Sequence, residues 1–363
     1  MSEAPDPANE LAAPLEPPAA SSKDSDSKST WISGPLYDSL LFVFAPLLAL
    51  GMGALIEPSG AGAWEVRLGK FSGPAPVLFL GAFVSAHLVL VLARSHLNQA
   101  VFKRHPYRFT LAPLLLFVAI MASTKLLVAV AVLSIWWDVY HSSLQTFGLG
   151  RIYDQRRGND AELGRRWDYA LNLLLYVGPI LAGAALTPHL RNSVELTTQV
   201  TQLFDHVPAR AEGAQAPLTW ALSLGGVVFL LVYVGAYLRL ARAGYRVAWQ
   251  KVALLVSTGL CSIFAWGFNA FGEAFFIMNV FHALQYFGIV WWAEGERLRE
   301  RLRLPATRAG ALIALSTLIW VCALYGLLTR TLEHHALTCL ALVISIMHFW
   351  YDGFVWSVRK NMV

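Results

Sequence analysis

Residues 126–150 read LLVAVAVLSIWWDVYHSSLQTFGLG, which places a carboxylate, an imidazole and an amide inside a long apolar run. About 20 predominantly apolar residues are enough for a helix to cross the hydrocarbon core of a bilayer. Asp138 and His141 are three residues apart, and Gln145 follows the histidine by four. At about 100° per residue, these side chains share one face of a helix. The stretch therefore predicts a membrane span with one polar face.

The composition extends this interpretation to the whole chain. Of the 363 residues, 56% are hydrophobic and only 14% are charged, whereas a soluble domain usually carries about 25% charged residues. The mean hydropathy is +0.51. The apolar runs are continuous and do not alternate with polar residues, which argues against a β-barrel. The three cysteines fall in apolar segments, so we expect no disulfide framework.

We therefore predict an all-α, polytopic transmembrane helical bundle of about ten spans. Residues 31–363 form one transmembrane domain. Residues 1–30 are rich in Pro, Ala, Ser and acidic residues and lack the apolar segment of a signal peptide, so a disordered cytoplasmic tail is expected. The predicted spans are 36–56, 74–96, 108–123, 126–150, 168–187, 217–238, 249–267, 270–294, 308–329 and 335–357.

The distribution of basic residues predicts the topology. Placing both termini in the cytoplasm assigns 21 of the 28 Lys and Arg residues to the inner side and six to the outer side. Cytoplasmic loops of membrane proteins carry such an excess. The same bias accounts for the formal net charge of +5, so we expect the lipid bilayer as a partner and no nucleic acid. The expected location is the inner (cytoplasmic) membrane of a bacterial type of cell.

Histidines recur in four of the predicted spans, and all four spans run from outside to inside. They are His87 and His96 in the second span, His141 in the fourth, His282 in the eighth and His348 in the tenth. The shared direction places these imidazoles at similar depths above the inner surface. They are the candidate metal ligands.

Other polar residues accompany these histidines at helical spacing. The segments DVYHSSLQTFG (138–148) and NVFHALQYFG (279–288) resemble each other, with a polar residue three before the histidine and Gln, Phe and Gly after it. A carboxylate also follows His348 by four residues. The candidate catalytic residues, which either act directly or orient an imidazole, are Asp138, Gln145, Glu273, Tyr286 and Asp352.

Burial of charged side chains in a bilayer costs about 2.5–3.5 kcal/mol each on insertion scales. Convergence on one site explains this accumulation, and imidazoles with carboxylates suit a divalent transition metal. The alternative for any single histidine is an interhelical hydrogen bond. His87 and His96 are nine residues apart, so on a straight helix they point in opposite directions. One of them is then expected to be structural, unless the helix breaks near Arg94. Glu273 and His282 have the same spacing.

The tight HxxxH and HxxHH boxes of desaturases and alkane hydroxylases do not occur in this pattern. Single histidines dispersed in WDVYHSS, NVFHALQY and MHFWYDG resemble the arrangement in the Brp/Blh group of bacterial membrane β-carotene dioxygenases. The resemblance covers no continuous alignable stretch. It implies a non-haem iron centre held by His87 or His96 together with His141, His282 and His348, which would act with O₂ on a long apolar substrate.

The leading functional hypothesis is a membrane-embedded, metal-dependent oxidoreductase or oxygenase that uses iron, with zinc as the alternative metal. Its lipid or isoprenoid substrate would enter sideways from the bilayer, and a cytoplasmic electron donor would bind the basic inner face. A transporter of protons, metal ions or small solutes is the rival hypothesis, because intramembrane Asp, Glu and His residues also mark ion pathways. Histidine-ligated haem and zinc-dependent hydrolysis are further alternatives.

Overall fold

A computed structural model describes residues 29–56, 60, 63–198, 200–202, 204–269 and 271–356. Most of the predicted N-terminal tail, residues 1–28, lies outside the described residues. The described chain is predominantly helical, and its exception is an antiparallel hairpin of two short strands, β1 (Glu65–Leu68) and β2 (Phe71–Pro74), in which Glu65 pairs with Pro74. The sequence had predicted helices alone.

The helices follow one another along the chain with short connections. They are α1 (Pro35–Asp38), α2 (Ala45–Ile56), α3 (Ala75–Val89), α4 (Val91–Ser95), α5 (Gln99–Arg104), α6 (Pro106–Ala122), α7 (Thr124–Arg156), α8 (Arg165–Ala182), α9 (Leu186–Thr198), α10 (Val207–Arg242), α11 (Trp249–Phe268), α12 (Phe271–Arg301), α13 (Arg308–Thr331) and α14 (His335–Val355), with one π-helical turn at Ser39–Val43 between α1 and α2.

Each of the ten predicted spans falls on a helix or a pair of helices, but not all of them are straight or long enough to cross a bilayer. In the part of the chain that the structure describes, seven stretches have the required length and apolar composition, and two bent pairs bring the number to nine if each pair is one span. The bends are 57° before α2 and 84° between α8 and α9. The predicted third span corresponds to α6, a shorter apolar helix of 17 residues that contains Pro113. The protein is thus membrane-embedded, with seven to nine candidate spans.

Local sequence explains where several helices begin and turn. Asn98 accepts hydrogen bonds from two backbone N–H groups in the first turn of α5, and Ser123 accepts one at the start of α7, which satisfies donors that a helix leaves unpaired. At the bend after α8, the backbone of Gly183 lies against Trp266 and Gly267 of α11, where a Cβ would collide. A glycine there allows α9 to fold across the end of α11.

Helix α12 forms the centre of the bundle and α10 forms part of its outer surface. Most of the apolar window of α12 is buried, whereas none of that of α10 is. The exposed large side chains of α10 include Trp220, Leu224 and Leu231. An apolar face without protein neighbours is the expected surface for lipid contact. The bundle therefore presents α10 to the membrane and keeps α12 for internal contacts.

A buried network of charges joins α7, α8 and α11. The guanidinium of Arg151 donates to Asp154 and Asp168 at 2.6 and 2.7 Å, and the ammonium of Lys251 donates to the same two carboxylates at 2.8 and 2.7 Å. Two cations therefore balance two anions. Tyr245, in the connection before α11, donates to Asp154 at 2.6 Å, and burial together with that carboxylate raises the pKa of Tyr245. Its hydroxyl thus stays protonated as a donor.

We expect Lys251→Met to destabilise the protein by about 3–5 kcal/mol, because it leaves one buried carboxylate uncompensated. The measurement is thermal unfolding of the purified protein in detergent. Adding Asp154→Asn to Lys251→Met should restore part of the lost stability, because the double variant again balances its buried charges.

The control for this prediction is Arg191→Gln, which breaks an ion pair with Glu212 whose side chains are 61% and 66% exposed. Exposed pairs contribute about 0–1 kcal/mol, so this variant should unfold close to the wild type. Equal destabilisation of the Lys251 and Arg191 variants would show that burial of the network is not what makes its charges important.

Candidate metal centre

Four helices bring one histidine each to a common point in the bundle. His87 comes from α3, His141 from α7, His282 from α12 and His348 from α14, and none is more than 3% exposed. The centroid of the His87 ring lies 5.1 Å from that of His282 and 5.2 Å from that of His348. The centroid of the His141 ring lies 5.1 and 4.7 Å from the same two rings. The four imidazoles thus form one buried cluster.

The ring nitrogens fall into two groups of potential ligands, and the members of each group are close enough together to hold one ion. One nitrogen each from His87, His282 and His348 lie within 4.8 Å of one another, and a second such group consists of His141, His348 and Asp352. The Nε2 atoms of His141 and His348 are 3.0 Å apart. Two nitrogens bound at right angles to one ion, each about 2.1 Å from it, would be about 3 Å apart. His348 belongs to both groups, so it connects the two halves of the cluster.

Two of the four imidazoles differ from the others in their hydrogen bonding. No ring nitrogen of His87 or His282 forms a hydrogen bond of normal geometry within the described part of the chain, although His87 also interacts with the backbone of Val84. The other pair is engaged, since His348 Nδ1 lies 3.2 Å from the carbonyl oxygen of Leu88 and its Nε2 faces His141. Buried polar atoms are almost always hydrogen-bonded, because a lost partner costs free energy. Coordination of an ion would satisfy these nitrogens.

Asp352 stands beside the cluster with one oxygen fixed and the other directed to the imidazoles. Its Oδ1 accepts hydrogen bonds from the Tyr286 hydroxyl at 2.9 Å and from Trp356 Nε1 at 3.1 Å. Its Oδ2 lies 3.7 Å from Nε2 of His141 and 3.8 Å from Nε2 of His348. The carboxylate is therefore held in place as a fifth potential ligand or as a partner that orients a histidine.

Gln145, a second candidate catalytic residue, contacts the backbone of α12. Its Nε2 donates to the carbonyl oxygen of His282 at 3.0 Å and to Oε1 of Gln285 at 3.1 Å, and Gln285 in turn donates to the carbonyl oxygen of Phe42. This chain of amides fixes α12 against α7 and the π-helical turn. Gln145 thus positions His282 through the backbone, and its own Oε1 has no hydrogen-bond partner within the described residues.

Three candidates predicted from the sequence lie outside the cluster. His96 follows the break after α3, where one ring nitrogen contacts Ser95 Oγ at 2.8 Å and the other contacts the carbonyl oxygen of Phe109 at 2.9 Å. Of the two histidines in the second predicted span, His87 is thus the one in the cluster, and His96 belongs to neither group of potential ligands.

Glu273 is exposed near the start of α12, nine residues before His282 and so about 13 Å from it along the helix axis. Asp138 is partly buried on α7, and it forms no hydrogen bond or ion pair within the described residues. Neither carboxylate belongs to a group of potential ligands. The structure brings one carboxylate to the histidines, that of Asp352.

A cavity of about 400 Å³ reaches the cluster from one side. Its wall is built by α7, α8 and α14, with a contribution from α12, and His141 is the one histidine that lines it. Asp352 and Tyr286 lie in the same wall, and Tyr140 beside them is 39% exposed. The volume is within the range of small-molecule pockets. A molecule in this cavity would therefore meet the cluster at the side of His141 and Asp352.

Two features of the site were not predicted from the sequence. Trp356, which orients Asp352, follows that residue by four positions, so helical spacing was a usable signal. Arg165 and Tyr169 of α8 also line the cavity, and the Tyr169 hydroxyl lies 3.1 Å from that of Tyr140, the residue before His141. In the sequence, Arg165 is one of 28 Lys and Arg residues, and nothing distinguishes it from the others. Its proximity to the cavity depends on how α8 packs on α7.

Comparison with protein-family profiles, with curated proteins and with solved structures gives no match to this chain. The resemblance to membrane β-carotene dioxygenases therefore stays an expectation from the sequence, and what the site does has to be argued from its own geometry.

Proposed function

We propose that this chain is a membrane-embedded metalloenzyme in which His87, His141, His282 and His348 hold a transition-metal ion. The observation that carries the proposal is the convergence of four buried imidazoles. Two of them form no hydrogen bond of normal geometry through their ring nitrogens within the described residues. Asp352 would be a further ligand or would orient His141 and His348. A site of this composition suits iron and also zinc.

Iron is the preferred metal because the donor set is larger than zinc normally uses. Zinc sites in proteins are mostly four-coordinate, and catalytic ones keep three protein ligands. Four imidazoles and a nearby carboxylate match better a metal that accepts six ligands, and they leave a position for a small molecule. A bound iron would supply redox chemistry with O₂, and we propose that the reaction oxidises a lipid or isoprenoid.

The lining of the cavity favours an apolar substrate that enters from the membrane. It is lined largely by apolar and aromatic side chains and it ends at His141 and Asp352. The protein would hold the reacting part of the substrate beside these residues and keep bulk water away. Electrons, where the reaction needs them, would come from a cytoplasmic donor on the basic face of the protein.

Proton translocation is the second candidate, and one observation favours it. His141 and His348 are within hydrogen-bond distance of each other, both face Asp352, and Asp352 accepts a hydrogen bond from Tyr286. Such chains of Asp and His residues carry protons in pumps and transporters. This series of hydrogen-bonded side chains would conduct protons without a metal, so the metal content of the protein separates the two proposals.

The purified protein is expected to contain about one iron ion per chain when the cells grow with ample iron, as measured by elemental analysis of the detergent-solubilised sample. His141→Ala and His282→Ala should each lose most of that iron, because each removes one of the imidazoles that hold it. His334→Ala is the matched control, since His334 is exposed at the start of α14.

A wild-type protein that binds neither iron nor zinc at this stoichiometry, even after reconstitution, would refute the metalloenzyme. Proton uptake by proteoliposomes that is abolished in His141→Ala would then favour translocation. Stoichiometric zinc without iron would keep the metal centre and replace oxidation with hydrolysis as the proposed chemistry.

Asp352→Asn is expected to weaken iron binding about 10- to 100-fold, the usual effect of losing a carboxylate that orients a metal-bound histidine. Tyr286→Phe should weaken iron binding less, because Trp356 still donates to Oδ1 of Asp352. Titration of the metal-free protein with Fe²⁺ under anaerobic conditions measures both effects.

The control for Tyr286→Phe is Tyr325→Phe. The hydroxyl of Tyr325, on α13, forms no hydrogen bond within the described residues. This variant should bind iron like the wild type. An Asp352→Asn protein with unchanged iron affinity would remove Asp352 from the centre and leave the four histidines alone as ligands.

A further inference from the structure

The cavity beside the histidines has two chemically different ends. His141 and Asp352 line one end, and Arg151 and Arg165 line the other. His141 and Arg151 are ten residues apart on α7, so the two ends are separated by about 15 Å. The wall between them is mainly apolar, and it includes Leu144, Phe147, Leu149, Ile152, Ile289 and Phe349. The cavity therefore has the polarity of an amphipathic molecule.

The charges at the basic end are not all neutralised. Arg151 is bound by Asp154 and Asp168, and Lys251 shares the same pair of carboxylates, so that network is balanced. Arg165 forms no ion pair within the described chain. Its guanidinium lies 5.7 Å from the centroid of the Phe147 ring, above an aromatic residue of the cavity wall. One positive charge at this end thus has no counter-ion among the residues that the structure describes.

Arg165 is the basic residue of this end whose guanidinium can meet a bound molecule. Arg151 is 3% exposed, and its charge is already matched by the two carboxylates. Guanidinium groups bind phosphate and carboxylate oxygens through paired, charge-assisted hydrogen bonds. Arg165 therefore supplies the donors that an anionic head group needs, and no carboxylate of the described residues pairs with it.

We propose that the substrate is an amphipathic lipid with a phosphate or carboxylate head, which Arg165 binds while the apolar chain extends along α7 to His141. The assignment of this molecule as a substrate rests on the proposed function, because the histidines would be the reacting end. Arg165 acts in this proposal as the residue that determines head-group specificity.

The proposal is tested by binding to the metal-free protein in a non-ionic detergent. A fluorescent polyene fatty acid serves as the probe, and hexadecanoic acid, hexadecyl phosphate and hexadecanol compete with it. These competitors share one alkyl chain and differ in the head. For the wild type, at least one of the two anions should displace the probe at a roughly tenfold lower concentration than the alcohol, the difference expected for a charge-assisted hydrogen bond.

Arg165→Gln should lose this preference, while its affinity for hexadecanol should equal that of the wild type. Arg166→Gln is the matched control, because Arg166 is an adjacent exposed arginine that does not line the cavity, and it should keep the wild-type preference. Preference for the phosphate alone would identify a phosphorylated lipid, and preference for the acid alone a fatty or isoprenoid acid. Equal displacement by all three competitors, or equal losses in the two variants, would overturn the proposal.

The result is independent of the metal. Loss of the head-group preference in a protein that still binds iron would remove the proposed substrate class and leave the metalloenzyme. Preference for the anion in a protein that binds no metal would keep the lipid site and remove the oxidation chemistry. Arg165→Gln should also retain the iron content of the wild type, since Arg165 lies at the opposite end of the cavity from His141.

Discussion

A buried imidazole must find a partner for each ring nitrogen, and this constraint organises the centre of the protein. Within a bundle surrounded by lipid, no bulk water is present to form the hydrogen bond that an unpaired polar group lacks. His96 meets the requirement with a serine hydroxyl and a backbone carbonyl. His87 and His282 do not meet it in this way. The difference separates a histidine that completes local packing from histidines that are suited to hold an ion.

The arrangement of helices serves the same cluster. The central helix α12 supplies His282 and Tyr286, and α3, α7 and α14 surround it with the other imidazoles. Gln145 and Gln285 connect α12 to its neighbours through backbone carbonyls. The buried charges of Arg151, Asp154, Asp168 and Lys251 tie α7 to α8 and α11 nearer the helix ends. Rigid helices with fixed crossings are what a set of ligands from four separate segments needs.

Much of this could be predicted from the sequence, and the limits have physical causes. Hydropathy located the helices, and the recurrence of histidines in four predicted spans led to the expectation that His141, His282 and His348 lie near one another. The structure places their rings 4.7 to 6.5 Å apart. The nine-residue spacing indicated that only one of His87 and His96 faces the cluster on a straight helix. It could not identify which one, because that depends on the break after α3. Glu273 was a candidate by residue type and Asp138 by its helical spacing from His141. Neither criterion shows which carboxylates reach the histidines, because that depends on how the helices pack. The cavity and Arg165 depend on the packing of α8 against α7, which helical periodicity does not encode.

His348 is shared by the two groups of potential ligands, with Leu88 behind it, His87 and His282 on one side and His141 on the other. Substitutions in the two halves of the cluster are then not independent of each other, since both act through one ring. Double-mutant cycles between His87 and His141 would report an interaction energy although these residues sit in different groups. In evolutionary terms, a replacement of His87 changes which replacements of His141 the protein can tolerate, and the reverse also holds. Epistasis is therefore concentrated at the shared ring of His348.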